Sequence, residues 1–174
     1  FLRVYQYPEA SEYLLVAEDI AKVSGRSGWQ GWVSYRRGNL YVWLRDNEKN
    51  AIAAYTKAAE LCGAAKDSLC IAESWEQLGA MHSMLDNFEQ AQYYYDQAIP
   101  LLERFGSDRQ LGSAFNNYAN LLVMNDRLEV AISYHQRAIA IYEKTGNLHD
   151  LGKAMNNLAN AYRSLKEYDE AIKM

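Results

Sequence analysis

The chain has 174 residues, 49% of them hydrophobic and 23% charged, and a net charge of −4. This is a globular rather than a disordered composition, and the length suits one ordinary domain. Lysine, arginine and the acids are scattered without a basic block, which argues against nucleic acid as a partner, and no apolar run approaches the roughly 20 residues of a membrane span.

The opening, FLRVYQYPEA, has neither an initiator methionine nor the apolar core of a signal peptide, and the chain stops in mid-pattern at EAIKM. It reads as an excised piece of a longer, cytoplasmic protein. Residues 9–24 form the first predicted helix. There YPEASEYLLVAEDIA aligns with the later EKNAIAAYTKAAEL once one residue is inserted, pairing Ala10 with Ala51 and Ala17 with Ala58. Next comes SGRSGWQG, residues 24–31, where three glycines predict a break in the helix and Trp29 and Trp32 predict that the segment packs.

From there a period of 40 residues governs the chain. Ala51, Ala91, Ala131 and Ala171 keep that spacing, as do Leu78, Tyr118 and Leu158, and Gly79, Ala119 and Ala159. The copies run 32–71, 72–111, 112–151 and, truncated, 152–174. In the first copy Gly38 and Asn39 stand where the others carry a large apolar and then a small residue, which leaves a one-residue shift open there.

Each copy has helical periodicity. Trp75, Leu78, Gly79 and His82 fall at i, i+3, i+4 and i+7, as do Met155, Leu158, Ala159 and Tyr162. A polar break follows (LDN, NDR or LKE), then a second helix whose face carries Ala91, Tyr95, Ala98 and Leu102, or Ala131, His135, Ala138 and Tyr142. Gly106 and Gly146 stand where that helix should end in a left-handed cap, and Pro100 is expected to kink it or end it early. The unit is a helical hairpin that cannot bury its apolar face alone, so successive copies must stack. Cys62 and Cys70, eight apart and not a CxxC pair, read as two packing or loop thiols in a reducing compartment.

WEQLGAMH, from Trp75 to His82, followed by Ala91 and Tyr95, resembles the tetratricopeptide repeat pattern W-x2-L-G-x2-Y … A-x3-F, with His82 in place of the tyrosine. The 40-residue period and the missing closing proline, at Glu103 and Glu143, resemble the extended repeats of kinesin light chains, spindle-orientation adaptors and bacterial signalling proteins. The resemblance covers nearly the whole chain. It implies an all-α, right-handed superhelical solenoid of antiparallel helix hairpins. It also implies a scaffold that binds a protein or peptide in its concave groove, in the context of bacterial signalling or regulation. Two alternatives stand beside it: a self-assembling array without a peptide ligand, and a regulatory array attached to an enzyme.

Catalysis finds little support. The sequence has no HExxH, zinc spacing, phosphate loop or GxSxG, so neither an enzyme nor a cofactor or metal is expected. His82 and His135 sit on packing faces, and His149 reads as a turn residue. In the YYY run at 93–95, Tyr95 is a core anchor, while Tyr93 and Tyr94 cover repeat junctions. The asparagines differ. At about 100° per residue, Asn116, Asn117 and Asn120, and again Asn156, Asn157 and Asn160, lie opposite the packing face, the latter set beside Lys153. The resemblance places that face on the concave surface. A carboxamide offers both a donor and an acceptor, matching the backbone of an extended peptide. Arg36 and Arg37 begin the equivalent face in the first copy and Arg163 extends it in the last, which suits an acidic or C-terminal peptide. Bonding between neighbouring hairpins is the other use for the asparagines. Apolar repeat ends also make self-association an expectation.

Overall fold

The structure, a computed structural model, describes residues 7–44 and 48–173, and among these residues there are nine α-helices and no strand. Their positions keep the sequence period. α4 (Ser68–Met84), α6 (Asp108–Met124) and α8 (Leu148–Ser164) begin 40 residues apart, as do α3 (Glu48–Ala65), α5 (Phe88–Phe105), α7 (Leu128–Thr145) and the short α9 (Tyr168–Lys173). α2 (Ser27–Leu44) ends in step with α4, and α1 (Tyr7–Ser24) precedes α3 by 41 residues, the one-residue insertion of the alignment. Two compact units result, one up to Met81 and one from His82.

The corners repeat as well. Asp86, Asp126 and Lys166, each in the middle of a three-residue polar break, adopt φ of 56°, 55° and 65°. A left-handed residue there reverses the chain, and aspartate tolerates that region better than most residues. Each corner is closed by the same bond: Asn87 N–H to His82 C=O at 2.9 Å, Arg127 to Leu122 at 2.8 Å and Glu167 to Tyr162 at 2.9 Å.

In the first unit α2 packs on α3. Gly31, Ser34, Tyr35 and Gly38 are buried on α2, and Ala51, Ala54, Tyr55, Ala58 and Cys62 on α3. A Cβ on Gly38 would lie 2.5–2.8 Å from the Tyr55 ring, so Tyr55 fills the space beside that glycine. α2 starts 41 residues before α4 and ends 40 before it, so the one-residue shift falls within α2. One expectation is narrowed here and another corrected. The helix break in SGRSGWQG is confined to Gly25 and Arg26, and Gly31, within α2, makes a close contact with α3. Cys62 and Cys70 are not separate thiols but a disulfide, with their Cα atoms 5.8 Å apart. One lies near the end of α3 and the other in the first turn of α4, so a spacing of eight straddles a corner that brings them face to face.

In the second unit the small residues Ala91, Ala98, Ala131, Ala138, Ala154 and Ala161 are all completely buried. They let the helices approach while aromatics fill the gaps beside them, as where Tyr95 and Tyr118 stack at 5.3 Å. Burying each such ring contributes about 2–3 kcal/mol. Here the early end of α5 and one of the two glycine caps give way. α5 runs on through Pro100, which lies on its exposed side, where the carbonyl freed by the missing N–H can bond water. Gly146 is a left-handed cap at φ 67°, but Gly106 is extended at φ −80° and bonds back to Leu102.

Candidate functional site

In the second unit α6 and α8 are neighbours; Ala114, Phe115, Tyr118, Ala119, Leu121 and Leu122 are buried on α6, and Ala154, Leu158 and Ala161 on α8. Asn116, Asn117 and Asn120 lie half-buried on the other side of α6, Asn157 and Asn160 likewise on α8, and Asn156 is exposed. The two uses considered for these residues divide among them. Asn157 Nδ2 donates to Asn116 Oδ1 at 3.2 Å, which ties one hairpin to the next. Asn117 is engaged too. No side-chain hydrogen bond to Asn120, Asn156 or Asn160 is found among the described residues, so their donors and acceptors are open to a ligand.

The charged residues separate in the same way. Lys153 pairs with Asp150 at 3.3 Å. The Asp150 carboxyl is held below the usual aspartate range chiefly by its hydrogen bond from Asn147, against burial, and then by Lys153. Asn147 caps α8, so this group braces the helix start. Arg163 is exposed in the last turn of α8. In the first unit Arg36 is exposed, its guanidinium 5.6 Å from the Tyr35 ring centre. Arg37 is committed elsewhere: its guanidinium pairs with Glu18 of α1 at 2.8 Å, and its Nε is buried without a partner.

Sequence reasoning missed a polar network in the first unit. Tyr55 donates to Asn39 Oδ1 at 2.7 Å and reaches Gln77 Oε1 at 3.5 Å, and Gln77 donates to the buried Glu76 at 2.5 Å. Burial first, then the charge and hydrogen bond of Glu73, raise the Tyr35 phenol well above its usual range. Glu76 stands 40 residues before Asn116, so the asparagine face is replaced in that copy by an acidic one. The sequence signal was Gly38, whose missing side chain lets the Tyr55 ring reach these groups.

Arg137 was also missed. It lies over the rings of Phe115 at 3.9 Å and Tyr134 at 5.3 Å and pairs with Glu103 at 2.6 Å. The exposed ion pair adds about 0–1 kcal/mol; the stacked guanidinium supplies the packing. His82 stacks on Tyr94 at 5.5 Å, and Tyr93 meets Tyr94 edge-on. Among the described residues no cluster of His, Cys, Asp and Glu could hold a metal ion, and no described helix is long and apolar enough to cross a membrane.

An all-α chain of hairpins on a 40-residue period, with small residues at the crossings and a polar face on each first helix, is a helical repeat protein. The family model for the tetratricopeptide repeat matches residues 29–104 and 110–174, and the chain belongs to that family. Such repeats are in general protein-interaction scaffolds. No curated protein sequence is similar enough to count as a match. Among solved structures, BtubC from P. vanneervenii is similar at 23% identity and a TM-score of 0.74, over 84% of this chain and 61% of that one. Aspartyl phosphate phosphatase F from Bacillus subtilis has 16% identity and a TM-score of 0.79, over 98% and 46% of the two chains. The signal-transduction ATPase of Pyrococcus horikoshii with a tetratricopeptide repeat sensor has 16% and 0.77, over 99% and 27%. The chain spans less than two thirds of each of these proteins, and the likeness is one of fold.

Proposed function

We propose that the chain is a peptide-binding module that holds an extended segment of a partner protein against α6 and α8 of its second unit. The observation that carries this is the division among the asparagines: Asn116 and Asn157 join the hairpins, while Asn120, Asn156 and Asn160 keep unused donors and acceptors on the same face. An extended backbone offers the C=O and N–H groups that satisfy carboxamides. Exposed Arg163 adds a site for a carboxylate at one end of that face. The acidic network of the first unit disfavours an acidic segment there. The setting we infer is a cytoplasmic signalling or regulatory protein in which this module recruits or senses a partner. The repeat sensor named in the Pyrococcus horikoshii ATPase supports that setting.

The test uses peptides selected from a random display library against the intact chain. The Asn120→Ala/Asn160→Ala double variant is expected to weaken them about tenfold or more, since two hydrogen bonds of about 1 kcal/mol each are lost, with helicity unchanged. Asn157→Ala, by contrast, should lower stability by about 1 kcal/mol. Unaltered peptide affinity in the double variant would sink the proposal.

Self-assembly has one observation in its favour. Tyr13, Val16, Ile20 and Val23, spaced 3-4-3 along α1, are all more than half exposed. Sedimentation across a hundredfold range of concentration decides this reading: mass must rise with concentration if α1 pairs, and a constant monomer mass excludes it.

A further inference from the structure

We propose that Cys62 and Cys70 form a redox-operated lock on the corner between α3 and α4. The repeat provides the comparison that singles this corner out. At the two later corners the third residue of the first helix is Gln110 or Asp150, and each bonds back to its cap. Gln110 Oε1 accepts from the Ser107 N–H at 2.7 Å, and Asp150 Oδ2 accepts from Asn147 Nδ2 at 2.8 Å. Cys70 holds that position here, and its sulfur bonds instead to Cys62, which stands where Leu102 and Tyr142 fill the later cores. A covalent bond thus replaces the side-chain bond from this position back to the cap, while the cap's own bond to the backbone N–H is kept.

The surroundings are built around that bond. A Cβ on Gly31 would come within 2.2 Å of Cys62 Sγ, so α2 lies directly against it. The Trp32 indole N–H donates to Asp67 Oδ2 at 2.9 Å, and Asp67 Oδ1 accepts from the Cys70 N–H at 3.1 Å. One carboxylate therefore ties α2 to the first turn of α4. Inside the closed loop Lys66 adopts φ 57°, the conformation that glycine supplies at the equivalent Gly146. A lysine holds that conformation less readily than glycine. α4 in turn carries Gln77 and Glu76, which belong to the polar network of the first unit.

Both cysteines are completely buried, so a reductant reaches them only when the corner opens. A thiolate of the reductant attacks one sulfur, giving a mixed disulfide and releasing one cysteine. The reductant's second thiol then displaces the other. Two electrons pass to the protein, two protons complete its thiols, and the reductant leaves as a disulfide.

The test compares the intact chain equilibrated with oxidised glutathione and with dithiothreitol. In the oxidised state no thiol should react with a maleimide while the chain is folded. Reduction should expose two thiols per chain, raise amide exchange at residues 67–71 tenfold or more, and lower the Tm by roughly 5 °C or more. Cys70→Gln, which restores the capping residue of the later corners, should fold and lose all response to dithiothreitol. Two reactive thiols in the folded chain after oxidation, or the same Tm and exchange in both states, would overturn the proposal.

Discussion

Lowering the pH from about 7 to about 4.5 should destabilise the second unit by about 2–3 kcal/mol, through His135. This side chain is completely buried on α7, and neither ring nitrogen has a hydrogen-bond partner among the described residues. It occupies the place that Tyr55 and Tyr95 take in the earlier copies, where the ring is needed for its volume. Burial without a partner penalises the imidazolium and lowers its pKa from 6.5 to about 4. Above pH 6.5 both folded and unfolded chains hold it neutral. Between 6.5 and about 4 the unfolded chain takes up a proton that the folded chain refuses, so stability falls with pH, by about 1.4 kcal/mol per unit. Below about 4 the folded state is protonated as well and this loss levels off. His82, also lowered by burial, acts in the same direction. Urea melts of the native chain and of His135→Leu, a swap of similar volume, separate the two. The variant should lose most of the slope and be more stable near neutral pH, because two unsatisfied nitrogens leave the core. Equal slopes in the two proteins would assign the pH dependence to other groups.

What the sequence made legible follows from what a period can encode. The 40-residue spacing of the alanines placed the helices, because small residues at fixed positions mark helix crossings wherever the chain folds. The inserted residue between α1 and α3 was visible for the same reason. Pairings across the repeat were not. Whether Asn157 turns to a ligand or to Asn116 depends on how two first helices lie side by side, which no single helix records. The disulfide escaped because a spacing of eight means nothing until a corner is placed between its ends. Arg37 looked like a ligand for a carboxylate because its partner, Glu18, lies on α1, outside the regular copies. In each case the position of a side chain on its own helix does not say which neighbour it meets.

Gly38→Leu is expected to destabilise the first unit by about 2 kcal/mol, although the 40-residue spacing sets it against Leu78 and Leu158. Two terms oppose each other. Removing a glycine from the middle of a helix contributes about 1 kcal/mol in favour. Against it, a Cβ alone would meet the Tyr55 ring at 2.5–2.8 Å, and that ring is completely buried and cannot swing aside into solvent. Moving it would also break the Tyr55–Asn39 hydrogen bond at 2.7 Å and disturb the contact with Tyr35 at 5.7 Å. Overpacking wins. Tyr55→Ala alone should cost about 3–5 kcal/mol by leaving a cavity. The leucine then has room to fill part of that cavity, so the double variant should be more stable than the two single losses together imply, by about 2 kcal/mol. Denaturant melts of the four proteins give this coupling directly. Additive losses would mean that Gly38 and Tyr55 do not share one volume, and a neutral Gly38→Leu would mean that the first copy accepts the side chain its repeats carry.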